Sequence, residues 1–156
     1  MKRIIFAIFL ICVSFFSITF AAEPTVTSDV RTFNPFTGVY NLKGNVHVDL
    51  GERVIDADAA QVFMYKMEVY GQGNIHLFDK KDHISFYCDK VEVFGNKRTA
   101  YVVGNMCFKQ DDLTILADKG SFNWKTKLAV FSGNVKVNGE SKPTDITYNV
   151  RSKQFI

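Results

Sequence analysis

The chain has 156 residues, with 19 Lys and Arg against 16 Asp and Glu and only three cysteines. That length suits one domain. Residues 1–22 carry Lys2 and Arg3 and no acid, so the rest holds 17 basic against 16 acidic side chains; with no block of one sign and no basic stripe, a charge-built nucleic-acid surface is excluded.

Met1-Lys2-Arg3 opens the chain, an apolar run fills residues 4–20, and Ala21-Ala22-Glu23-Pro24 follows. A positive start, an apolar middle and small residues before a polar stretch predict a secretory signal peptide over 1–22 and an exported domain over 23–156. Cleavage after Ala21 places Thr19 third from the cut, whereas cleavage after Ala22 places bulky Phe20 there. The rival expectation is an uncleaved anchor, since the run approaches the ~20 apolar residues that cross a bilayer. Cys12 follows bulky Ile11, which argues against lipid attachment at that thiol.

Beyond residue 24 the chain repeats. A first strand is expected over 25–33, containing Ser28-Asp29 and ending at the turn Asn34-Pro35-Phe36-Thr37-Gly38. Gly44-Asn45-Val46-His47-Val48 follows, then Ala57-Asp58, Gly73-Asn74-Ile75-His76-Leu77, Cys88-Asp89, Gly104-Asn105-Met106-Cys107-Phe108, Ala117-Asp118, Gly133-Asn134-Val135-Lys136-Val137 and Thr144-Asp145. The Gly-Asn pairs recur at 29, 31 and 29 residues, and the aspartates at 29, 31, 29 and 27. Two interleaved series with one period define a repeat protein. Turns are expected at 79–82, 95–98, 110–112 and 124–127, and a last strand over 145–156.

Apolar residues stand two and four places after each glycine, with His47, His76, Cys107 or Lys136 between them. Such alternation predicts strands with one buried and one wetter face. Before each aspartate the apolar residues lie at odd offsets (Ile55 and Ala57, Phe86 and Cys88, Ile115 and Ala117), and beyond it at an even one (Phe33, Val62, Val93, Phe122). A straight strand cannot keep both sets on one face. A bulge or corner at the aspartate reconciles them, with the glycines supplying positive φ at the other corner. No stretch shows sustained helical spacing, so the fold class is all-β, an elongated and slightly twisted jelly roll or solenoid of two-strand units.

The Gly-Asn-Val steps at 44 and 133, the Gly-Asn-Met step at 104, the Ala-Asp steps at 57 and 117 and the signal segment together resemble the LptA/OstA-like family of lipopolysaccharide-transport proteins, over roughly residues 24–150. The resemblance implies a β jelly roll open at both ends, whose apolar interior shelters the acyl chains of lipid A. It implies no catalytic residues and no cofactor. Its implied partners are lipopolysaccharide, further copies of the chain joined head to tail, and LptC-like and LptD-like proteins; an LptC-like protein would keep its N-terminal segment as an anchor. One exposed acyl chain costs on the order of 10 kcal/mol at about 0.8 kcal/mol per methylene, so passage through water demands a continuous apolar trough.

The expected trough lining is Val46, Val48, Ile75, Leu77, Met106, Phe108, Val135 and Val137, faced by Val62, Phe86, Val93, Ile115, Phe122 and Trp124. The same residues would serve as plain core in a β-repeat scaffold that polymerises without cargo. Gly44, Gly73, Gly104 and Gly133, with Asp29, Asp58, Asp89, Asp118 and Asp145, are expected at structural corners. His47, His76 and Cys107 hold equivalent positions, but neighbouring strands lie ~4.8 Å apart, too far for all three to share a metal. No metal site, nucleophile–base pair or phosphate loop is expected. Cys88 falls on the apolar phase and Cys107 on the wetter one, so their Cβ atoms point apart and both are expected to be free thiols. Open sheet edges at the first and last strands are expected to recruit further strands.

Overall fold

The structure is a computed structural model that describes residues 25–156. The expected signal segment, and its cleavage or retention as an anchor, lie outside the described residues. Thirteen strands form one continuous antiparallel sheet: β1 (Thr25–Thr27), β2 (Val30–Asn34), β3 (Val39–Asp49), β4 (Arg53–Phe63), β5 (Glu68–Asp79), β6 (Ile84–Phe94), β7 (Thr99–Gln110), β8 (Leu113–Asn123), β9 (Leu128–Ser132), β10 (Lys136–Val137), β11 (Glu140–Ser141), β12 (Ile146–Asn149) and β13 (Gln154–Phe155). Each strand from β3 to β8 pairs with the next in sequence, and β9 then pairs with β12. Among the described residues no helix is long and apolar enough to cross a membrane.

The long strands bend at mid-length. Gly44 and Asn45 of β3 stand opposite Asp58 alone on β4, Gly73 and Asn74 opposite Asp89, and Gly104 and Asn105 opposite Asp118. Two residues against one is a bulge, which bends the ladder. Both residues of each pair are left-handed: the glycines have φ of 71, 75, 82 and 76° and the asparagines 45, 45, 45 and 47°. Glycine and asparagine are the residues that enter this region at least cost.

A second bond ties every corner to the strand before it. The side-chain amides of Asn45, Asn74, Asn105 and Asn134 donate to Asp29, Asp58, Asp89 and Asp118 at 2.9, 2.8, 2.9 and 2.9 Å, always sixteen residues apart. The sequence reading put aspartate and glycine at separate corners; they build one corner from adjacent strands. Asp145 departs from the pattern, because among the described residues it bonds no asparagine and lies exposed ahead of β12.

The corner divides the sheet into two walls. Residues 39–43, 59–63, 68–72, 90–94, 99–103 and 119–123, continued by β9 and β12, form the first. Residues 46–49, 53–57, 75–79, 84–88, 106–110 and 113–117, continued by β10, form the second. At the far rim of the first wall the turns after β2 and β8 are each set by an asparagine whose side-chain oxygen accepts two backbone N–H groups, Asn34 from Phe36 and Thr37 and Asn123 from Lys125 and Thr126. This is the Asx-turn device.

Both terminal expectations need correction. The segment 25–33 is two strands broken at the Asp29 corner, with β1 pairing on the second wall and β2 on the first. The segment 145–156 is a hairpin, β12 and β13, around a turn at 150–153.

Candidate functional site

Between the walls lies the apolar interior. On the second wall one row runs through Val26, Val48, Ile55, Leu77, Phe86, Phe108, Ile115 and Val137, each paired with the next. A row beside the corner holds Val46, Ala57, Ile75, Cys88, Met106 and Ala117. The first wall answers with Tyr40, Val62, Val69, Val93, Ala100, Phe122, Ala129 and Tyr148. Of the fourteen residues expected to line a trough, twelve are buried in this one core, while Trp124 and Val137 pack against it half-buried. Phe33 starts the first-wall row but is 47% exposed, because it sits at the free sheet edge, stacked on Tyr40 at 4.3 Å.

Sequence reasoning omitted Leu42, Val102 and Phe131, all buried. Each stands two residues before a corner glycine, so the even offset that located Val46 on one side of the corner was also present on the other. Tyr148 and Ile84 carry no such mark.

The interior is not uniform along its length. Toward the C-terminal end aromatic rings fill it: Phe86 lies 5.1 Å from Phe108 and 6.1 Å from Phe122, and Phe108 lies 5.2 Å from Phe131 and 5.8 Å from Tyr148. Over this part the rims of the two walls are joined by polar contacts. Arg53 stacks on Trp124 at 4.3 Å, and its Nε lies 3.0 Å from Oδ2 of Asp79. Asp79 is fully buried, its Oδ1 accepting the N–H groups of Lys81 and Asp82. Lys127, only 6% exposed, pairs with Asp82 across the gap. Gln110, 5% exposed, donates to the carbonyls of Asp82 and Val150 and accepts from the Tyr148 hydroxyl at 2.9 Å. Burial pushes the Tyr148 phenol above its ordinary pKa. Lys153 closes the series on Asp111 at 2.6 Å, a bond that raises the lysine's pKa.

Toward the N-terminal end the walls part. A cavity of about 330 Å³ opens there, lined by Val26, Leu50, Val62, Val69, Val93, Met64 and Met67, with Arg53 and Trp124 as its far wall. A larger hollow, about 440 Å³, lies on the outer face of the first wall among Asn41, Gln61, Tyr70, Gln72, Lys90 and Glu92. Its lining is mixed, with charged and amide side chains among the apolar ones, whereas the inner cavity is mainly apolar, so the inner cavity is the candidate site.

The outer face of the second wall carries the histidines. His47 Nδ1 is 2.7 Å from Asp56 Oδ1, and His76 Nδ1 is 3.6 Å from the other oxygen of the same carboxylate. Tyr87 stacks on His76 at 4.6 Å and stands between it and Cys107 in the ladder. Among the described residues no group of three or more His, Cys, Asp or Glu is placed to hold a metal ion. Cys88 is buried and Cys107 half-buried, and neither is bridged. Burial pushes the Cys88 thiol up to about 11, which makes it a poor nucleophile.

Against known proteins, the fold is similar to the crystal structure of LptH, the LptA-homologous periplasmic component of the lipopolysaccharide transport device of Pseudomonas aeruginosa. The match has a TM-score of 0.68 and 14% sequence identity over 73% of this chain and 92% of that one. At that identity the likeness is one of fold: an open antiparallel sheet bent along its length. No family model matches the sequence, and no curated protein matches it in sequence.

Proposed function

We propose that this chain is an exported, non-enzymatic carrier that shelters the acyl chains of lipopolysaccharide between its two walls on the way to the outer membrane. The observation that carries this reading is an apolar interior running unbroken from strand to strand and opening as a cavity at the N-terminal end. A methylene chain laid there leaves water at about 0.8 kcal/mol per carbon. The periplasm is the compartment consistent with a signal peptide over 1–22 and with the location of LptH.

Partners follow from the edges. Among the described residues β1 and β2 pair only with β3, and β13 only with β12, so each end of the described sheet presents unpaired backbone groups. Val30, Phe33 and Phe36 are exposed at one end, Phe155 and Ile156 at the other. Edge-to-edge pairing joins unlike ends and generates an open chain of copies, terminated by LptC-like and LptD-like proteins of the same strand geometry.

The test is photo-crosslinking in the native envelope. A crosslinking residue at Met67, on the cavity rim, captures lipopolysaccharide, and one at Tyr101 on the outer face does not; equal capture at both positions rejects the carrier. A scaffold without cargo is the second reading, favoured by the aromatic filling of the C-terminal half, and it predicts capture at neither. An LptC-like anchored component is separated from both by the mass of the mature chain, which keeps residues 1–22 in that case alone.

A further inference from the structure

We propose that the chain seats a single unbranched acyl chain of about a dozen carbons in its N-terminal cavity, and that the Lys127–Asp82 latch bars lipid from the C-terminal half. The inference rests on the carrier reading and sets its capacity and its limits.

Capacity follows from volume. An apolar cavity of about 150 Å³ takes one benzene, six carbons. At the same packing the 330 Å³ cavity takes on the order of twelve. Its lining is mainly valine, leucine, phenylalanine and two methionines, with Arg53 and Glu68 the charged side chains among them; so apolar a surface fits a hydrocarbon chain, and methionine adapts its shape to flexible chains. Met64 and Met67 are exposed at the rim, so the chain enters from the side, between the walls, without threading an end.

The limit follows from the rim contacts. Beyond the Arg53–Trp124 stack, two successive turns of the second-wall rim are tied to the first wall, by Asp82 to Lys127, Gln110 to Val150 and Tyr148, and Asp111 to Lys153. Lys127 and Asp82 are both nearly closed to solvent, so they pair in a weakly screening environment where separating them is costly. Tyr148 then places its ring against Phe108 beneath the latch. A lipid with several acyl chains therefore engages this chain by one tail at a time, unless the latch opens and the β12–β13 hairpin withdraws Tyr148.

The experiment uses dodecanoate and lipopolysaccharide as probes on the purified protein. Titration calorimetry is expected to give one dodecanoate per chain, and Val69→Trp, which fills the cavity, to weaken binding at least tenfold; two or more equivalents, or no effect of V69W, overturns the seat. A photo-crosslinker at Met67 is expected to capture dodecanoate and one at Leu113, in the latched half, to capture none; equal capture overturns the barrier. With Asp82→Ala, capture at Leu113 should rise to the level seen at Met67, and no rise sinks the latch. If D82A does not fold, Tyr148→Ala, which empties the space beneath the latch, serves the same comparison. Binding of lipopolysaccharide without dodecanoate overturns the one-chain seat and leaves the carrier standing. Binding of neither removes both.

Discussion

Replacing Gly104 with alanine tests whether the corner is built as the geometry indicates. Gly104 has φ +82°, and a Cβ there would overlap the carboxylate of Asp89, which accepts the Asn105 amide at 2.9 Å. The left-handed backbone alone costs about 1–2 kcal/mol for a residue with a Cβ. Displacing the Asp89 carboxylate adds about 1 kcal/mol for a hydrogen bond at an exposed site. Gly104→Ala should therefore cost about 2–3 kcal/mol, which lowers Tm by roughly 6–10 °C in a domain of this size. Gly139→Ala is the control: its φ is +88° but nothing lies within 4 Å of its Cβ position, so only the backbone cost of about 1–2 kcal/mol applies. Asp89→Ala removes both the bond and the obstruction, so the double variant should be about 1 kcal/mol more stable than the sum of the single effects. Thermal and urea unfolding measure all four proteins. Strict additivity, or a Gly104→Ala no worse than Gly139→Ala, would falsify the shared corner.

Three further outcomes are expected. Phe108→Ala, at a fully buried position between Phe86 and Phe131, should cost about 3–5 kcal/mol by urea unfolding; a cost below 1 kcal/mol means this half of the interior is not filled. Lys127→Ala leaves Asp82 buried without its cation and should cost about 3 kcal/mol, whereas Lys127→Met with Asp82→Leu should be nearly neutral; an equal loss in both variants contradicts the ion-pair account. Alkylation at pH 8 should modify Cys107 and spare Cys88, whose thiol near 11 leaves about one molecule in a thousand ionised. Since that thiol sits above its ordinary 9.0, the unfolded chain ionises first. Its contribution to stability is whole below pH 9 and is lost as the pH rises toward 11. Equal labelling of the two thiols places Cys88 outside the core.

The repeat was legible in the residues themselves because a corner makes local demands. A left-handed pair selects Gly-Asn, the carboxylate that receives the asparagine amide must come sixteen residues earlier, and alternation on either side marks what points inward. That is why Val46, Ile75, Met106 and Val135 could be placed without coordinates. The sequence reading set aspartate and glycine at two corners where the structure builds one, since sequence spacing does not say which strand lies beside which. Only the register joined Asp58 to Asn74 and set Gly44-Asn45 opposite Asp58. The rim was equally illegible. Lys127, Asp82 and Gln110 belong to polar turns and look solvated, yet they are among the least exposed polar residues because the two walls bring their rims together over the C-terminal half. Local sequence specifies bends and faces; how far two faces part, and so where a cavity survives, depends on contacts between residues some forty positions apart.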